Sequence, residues 1–272
     1  MLPAGRSFYK MSGSGNDFIM VNAMQQPPGS LAEATTVQAL CGRGTGIGAD
    51  GIVFLEPSDA ADFRMVYLNS DGSRADLCGN ASLCSSRLAT ELGIVSTTEF
   101  EIQTDAGILR ARVREGAPEV DLQPVTELRP KLPFRLDQGE RWIGFALVGV
   151  PHLSVLCHDV DVVDVLGRGR PLRFEPSLAK GANVNFLSPD DDGSWRIRTY
   201  ERGVEGETLA CGTGAVASAI LLVESGAATS PVRLHTRSAR TLTVRLTKAE
   251  AGWLPSLSGE ARIVFEGRFG EL

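Results

Sequence analysis

The chain carries the same pattern twice, and this constrains its fold more than any other feature. Set beneath the stretch Trp195 to Gly226, the stretch Phe63 to Gly93 matches with a single gap. Phe63 falls under Trp195, Asn69 under Glu201 and Cys78 under Cys211. Cys78 and Cys211 stand 133 residues apart, and so do Gly93 and Gly226, so the register holds through the whole segment after each cysteine. The match extends both ways, from Ala49–Pro57 to Ala182–Pro189 and from Phe100–Thr104 to Val232–Thr236. Two similar domains follow. One spans residues 1–117 and carries Cys78, with the terminal strand at 261–272 packing against it. The other spans 118–260 and carries Cys211.

Within the later copy, Ile197 and Thr199 alternate with Arg196 and Arg198, the period of a half-buried strand. A polar loop, Glu201 to Thr208, leads to Cys211-Gly212-Thr213-Gly214. The residues from Ala215 to Val223 are almost all apolar, which predicts a helix buried on most sides. Gly226 closes it as a left-handed cap. Phe8 to Val21 reads as a strand broken at Ser12–Asp17, and Leu31 to Leu40 as a short helix. Gly46-Ile47-Gly48-Ala49-Asp50-Gly51 fits a dinucleotide-binding spacing. No strand leads into it, however, and Ile52–Leu55 after it reads as a strand, so a nucleotide role is discounted. Pro118, Pro124, Pro130 and Pro133 mark the crossing between halves. Trp142 to Val150 is a strand that ends before Pro151-His152.

The whole predicts an α+β chain of two pseudo-symmetric domains, each a mostly antiparallel sheet wrapped around a central helix. A net charge of −6 with no basic stripe argues against nucleic acid and anionic membranes as partners. No apolar run approaches the roughly 18 residues of a membrane span. Nothing in the first residues resembles a secretory signal, so a cytoplasmic enzyme is expected. The five cysteines form no CxxC pair and there are only three histidines, so neither a metal site nor a disulfide framework is expected. Cys41, Cys84 and Cys157 read as small buried hydrophobes. Cys78 and Cys211 differ, because each precedes a glycine at a helix start, where positive potential favours the thiolate.

If the two helix starts face one cleft, a carbon held between the thiols loses a proton to one and gains a proton from the other. That inverts a stereocentre. The N–H groups of Gly79, Asn80, Gly212 and Thr213 then offer a carboxylate site that accepts the developing charge. No cofactor is needed on this scheme. His152 occupies a strand break near the inferred cleft, which favours a functional role over a core one.

The motifs Gly15-Asn16-Asp17-Phe18, Gly46-Ile47-Gly48-Ala49-Asp50, Asn69-Ser70-Asp71-Gly72-Ser73, Cys78-Gly79-Asn80, Pro151-His152, Asn183-Val184-Asn185-Phe186, Glu201-Arg202-Gly203 and Gly206-Glu207-Thr208 with Ala210–Gly214 occur in order. Together they resemble the diaminopimelate epimerases over essentially the whole chain. The resemblance implies interconversion of LL- and meso-diaminopimelate without a cofactor, in lysine and peptidoglycan precursor synthesis, by a homodimer. It implies Cys78 and Cys211 as the acid and base pair, tuned by His152 and Glu201. It implies Gly79, Asn80, Gly212 and Thr213 as the carboxylate clamp, and Asn16, Asn69, Asn183, Glu201 and Arg202 as the groups that hold the rest of the substrate. The chain departs from the family pattern at Gly51, where some members have Gln, at Val150, where many have Asn, at Leu83, and in the loop lengthened by Val204-Glu205. A related racemase or isomerase acting on another amino acid is the alternative. A reversible Cys78–Cys211 disulfide without turnover is the reading from a different class.

Overall fold

A computed structural model of the chain describes residues 5–270. Its elements run β1 (Ser7–Gly13), β2 (Asn16–Asn22), α1 (Ala34–Cys41), β3 (Gly51–Glu56), β4 (Phe63–Asn69), β5 (Arg74–Ala75), α2 (Gly79–Glu91), β6 (Glu99–Thr104), β7 (Gly107–Arg114) and β8 (Ala117–Asp121). The order then repeats as β9 (Leu128–Arg129), β10 (Glu140–Val148), β11 (Val150–Cys157), α3 (Val165–Arg173), β12 (Asn183–Pro189), β13 (Trp195–Glu201), β14 (Gly206–Thr208), α4 (Gly212–Glu224), β15 (Val232–His235), β16 (Thr241–Ala249) and β17 (Gly252–Ser258), with β18 (Arg262–Arg268) last. The chain divides into two compact units. One runs to Val120 and takes the chain back from Ser258, and the other spans Asp121–Leu257.

The pairings of the two units correspond strand for strand. In the first, β1 lies antiparallel to β2 and β18, β2 runs parallel to β3, and β3 is antiparallel to β4, which runs parallel to β6. In the second, β10 lies antiparallel to β11 and β9, β11 runs parallel to β12, and β12 is antiparallel to β13, which runs parallel to β15. Parallel neighbours need a crossover. The helices supply these, with α1 and α3 between the first parallel pair of each unit and α2 and α4 between the second.

Register makes the equivalence residue-specific. Phe18 pairs with Gly51 across β2 and β3, and His152 pairs with Asn183 across β11 and β12. Phe18 and His152 are therefore structural counterparts, as are Val53 and Asn185 two residues further along β3 and β12.

Each sheet is covered on both faces, so its inner strands read as continuous apolar runs rather than as alternation. β3 is buried from Gly51 to Leu55. Ile52, Phe54, Val66 and Leu68 pack with Val37, Leu40 and Cys41 of α1. On the opposite face Met65 meets the Ser82 hydroxyl of α2. In the second unit Leu153, Val155, Val184, Phe186 and Tyr200 pack with Val165 and Leu172 of α3. Period two then turns His152, Ser154 and Asn185 to the α4 side, where Ser154 Oγ lies 3.1 Å from Ser218 Oγ.

Three local readings change. The break in the second unit is at Gly149, whose φ is +67°, so Pro151 and His152 lie inside β11 rather than beyond a strand. The polar loop after Glu201 contains a short strand, β14, paired back onto β13. Leu31–Leu40 forms a 3-10 turn at Gly29–Ala32 followed by α1.

Candidate active site

Cys78 and Cys211 are the N-caps of α2 and α4, with φ/ψ of −138°/117° and −135°/110°, and neither helix start carries a side-chain cap. The first N–H to bond within each helix is that of Ser82, to Cys78 O, and that of Ala215, to Cys211 O. The amides of Gly79, Asn80, Gly212 and Thr213 thus have no partner inside their helices. Each thiol is half-buried. The other three cysteines are buried, and burial first of all pushes Cys41 up to about 11, Cys157 up to about 12 and Cys84 well above its ordinary value. Those thiols stay protonated and inert.

Around Cys78, a hydrogen-bonded chain orients two amides. Asn16 Nδ2 donates to Asp50 Oδ2 at 2.9 Å, and Asn80 Nδ2 donates to Asn16 Oδ1 at 2.7 Å. A carboxylate only accepts, so both amide orientations are determined. Asn80 Oδ1 is left buried with no hydrogen-bond partner, an open acceptor at the start of α2. Asp50 is held in turn by Arg43 at 2.8 Å. Arg43 and the buried Lys10 each also reach Asp17 at 2.6 Å. Burial pushes the Asp17 carboxyl up, but Arg43 and Lys10 outweigh it and hold it below the usual carboxylate range. Asn69 Nδ2 donates to Ser73 Oγ at 3.0 Å within the turn after β4.

Around Cys211 the chemistry differs because the counterparts differ. Val150 stands at the Asn16 position and His152 at the Phe18 position. His152 is fully buried, and burial first, then the Arg202 charge, pulls its pKa down to about 3. The imidazole is therefore neutral at working pH and acts on its neighbours through hydrogen bonds rather than charge. Its Nε2 lies 3.0 Å from Thr213 Oγ1, which lies 3.6 Å from Cys211 Sγ. Its Nδ1 lies 3.4 Å from Asn185 Nδ2. Buried Asn183 accepts the Arg202 N–H at 2.7 Å, and the Arg202 guanidinium reaches Lys180 O at 3.3 Å. Glu201 ends β13, half-buried.

The structure thus groups Asn16 and Asn80 beside Cys78 in the first unit, and His152 and Thr213 beside Cys211 in the second, where Asn183 is tied to Arg202. Asp50 and Asn185 lie within the sequence motifs, but the sequence alone does not single them out. Their signal is a polar side chain at a position that the pairing register turns inward.

The departures have physical causes. A Cβ at Gly51 would collide with the Leu68 carbonyl and the Tyr67 ring, so a side chain there requires its neighbours to shift. Leu83 is fully buried in α2, where an apolar side chain belongs to the core. The longer loop is pinned by Glu205, which has φ +55° and accepts from the Gly203 N–H, Arg173 and the Tyr200 hydroxyl. Among the described residues one group has the spacing of metal ligands, Asp190, Asp192 and His235, within 4.8 Å of one another. Asp192 already accepts the Ser194 N–H, and His235 Nδ1 lies 2.9 Å from the Thr241 hydroxyl.

A repeated sheet-wrapped helix with a thiol at each N-cap defines an isomerase of the epimerase and racemase class. Solved structures share the fold. A phenazine biosynthesis protein of the PhzF family from Bacillus anthracis superposes with a TM-score of 0.77 at 16% identity, covering 98% of this chain and 99% of that one. A hydroxyproline epimerase from Agrobacterium vitis gives 0.70 at 18% identity, covering 98% and 92%. The family model described as diaminopimelate epimerase matches residues 8–126 and 144–264. A diaminopimelate epimerase of Gemmatimonas aurantiaca is 48% identical over 98% of this chain and 100% of its own. One of Aquifex aeolicus is 39% identical over 97% and 98%. The chain belongs to the diaminopimelate epimerase family.

Proposed function

We propose that the protein interconverts LL- and meso-2,6-diaminopimelate by two-base proton transfer, with Cys78 and Cys211 alternating as acid and base. The observation that carries this is the matched pair of half-buried thiols at two N-caps of nearly identical backbone geometry. One thiolate takes the Cα proton and becomes a thiol. The other thiol gives its proton to the opposite face and becomes a thiolate, so the roles are exchanged after each turnover. Inversion requires one thiol on each face of the carbon. The carbanion charge spreads into the adjacent carboxylate, for which the free amides of Gly79, Asn80, Gly212 and Thr213 are the donors. Asn80 Oδ1 is an acceptor suited to a substrate ammonium. Asn16, Asn69, Asn183, Glu201 and Arg202 hold the remaining polar groups of the substrate, Arg202 facing the far carboxylate.

Cytoplasmic residence and a homodimer belong to the same reading. The first is supported by five cysteines of which none is in a disulfide, and the second by Val264 and Phe265, exposed on β18 at 46% and 47%. Among the described residues no helix is long and apolar enough to cross a membrane.

The test is incubation with LL-diaminopimelate in deuterated water without added cofactor. Meso product carrying deuterium at one Cα is expected. No exchange from reduced protein would move the substrate to another amino acid.

A further inference from the structure

Asn185 is fully buried on β12, on the face turned to α4. Its amide has a determined orientation. Nδ2 donates to Leu153 O at 3.0 Å, and a carbonyl can only accept. Oδ1 accepts the Thr199 hydroxyl at 3.0 Å. The second hydrogen of Nδ2 is directed at His152 Nδ1, 3.4 Å away. A ring nitrogen that receives a hydrogen bond carries no proton, so the proton of the neutral ring sits on Nε2, which faces Thr213 Oγ1 at 3.0 Å. Thr213 Oγ1 accepts that proton, and its own hydrogen is left for Cys211 Sγ at 3.6 Å.

We propose that Asn185 is a positioning residue for Cys211: by locking His152 as the Nε2–H tautomer it turns the Thr213 hydroxyl hydrogen onto the Cys211 sulfur, where it stabilises the thiolate. In the first unit the counterparts of His152 and Asn185 are Phe18 and Val53, whose side chains have no hydrogen-bonding atoms, so this imidazole relay belongs to the second unit alone. The inference rests on the reading of Cys211 as a working thiol, but both readouts below are taken on the resting protein, so they stand or fall apart from the substrate assignment.

The first readout is nitrogen-15 NMR of the three-histidine wild-type protein. Its buried histidine should carry its proton on Nε2 and none on Nδ1; a proton on Nδ1 overturns the proposal before any variant is made. The second is the iodoacetamide alkylation rate of Cys211 at neutral pH, measured by peptide mass spectrometry relative to Cys78 in the same sample. Asn185→Asp replaces the donor with an acceptor, and Thr213→Val removes the last link. Each should slow Cys211 about tenfold, the size of one hydrogen bond to a charged group, while Cys78 keeps its rate. The double variant should be no slower than either single one. A further multiplicative loss in the double variant would show that the Asn185→Asp change acts by its added charge alone and overturns the relay. If Asn185→Asp does not fold, Thr213→Val still decides: an unchanged Cys211 rate overturns the proposal.

Discussion

Part of the destabilisation of this protein by acid should come from His152, and a His152→Gln substitution should remove that part. The ring is fully buried and its pKa falls from the ordinary 6.5 to about 3. A depressed folded-state value means that the unfolded chain takes the proton first. The stabilisation is therefore present in full above about pH 6.5 and is lost as the pH falls towards 3. Linkage between those two values gives a loss of about 2.5 kcal/mol between pH 7 and pH 4.5. Glutamine keeps an acceptor for Asn185 and a donor for Thr213 but does not titrate. Urea unfolding of both proteins at the two pH values checks it. Protonation of carboxylates is common to both and cancels in the difference. Wild type should lose about 2.5 kcal/mol more than the variant. Equal losses would refute a buried neutral imidazole.

Arg202→Ala should raise KM for diaminopimelate far more than it lowers kcat; an equal loss on a substrate lacking the far carboxylate would argue against that contact. Gly51→Ala should cost about 1–3 kcal/mol, because the new methyl meets the Leu68 carbonyl and the Tyr67 ring, and an unchanged thermal midpoint would contradict the packing. Asp50→Asn frees Asn16 to rotate its amide and should raise KM while leaving the fold intact; unchanged kinetics would show that the Asp50–Asn16–Asn80 chain is not used. Mild alkylation should label Cys78 and Cys211 and spare Cys41, Cys84 and Cys157, and early labelling of any of those three would contradict its burial.

Much of the architecture was legible because the chain repeats. The 133-residue spacing of the cysteines and of the closing glycines located both central helices and their caps, and Gly93 and Gly226 take φ of +65° and +73°. Other features lay beyond local pattern. α2 is buried although it carries Ser82, Ser85 and Ser86. Ser82 and Ser86 satisfy their hydroxyls on carbonyls one turn back, which no hydropathy reading reveals. α3 forms across Gly167, Gly169 and Pro171, a sequence that disfavours helix. Asp164 caps its start, and Gly169 leaves room for the Tyr200 ring.

The site divided in the same way. Cys78 and Cys211 stood out by position, since a thiol before Gly at a helix start is visible in one dimension. Asp50 and Asn185 did not, because their work depends on partners 33 or 34 residues away that only the parallel pairing of β2 with β3 and β11 with β12 brings alongside. The neutrality of His152 likewise follows from burial, which a single histidine in a sequence does not disclose.

The most direct test of the two-thiol account is the turnover of Cys78→Ala and Cys211→Ala on LL-diaminopimelate, each shown to be folded by circular dichroism. Both variants should lose meso formation by at least about a thousandfold, since inversion needs a proton acceptor on one face and a donor on the other. Near wild-type turnover by either one would contradict the account.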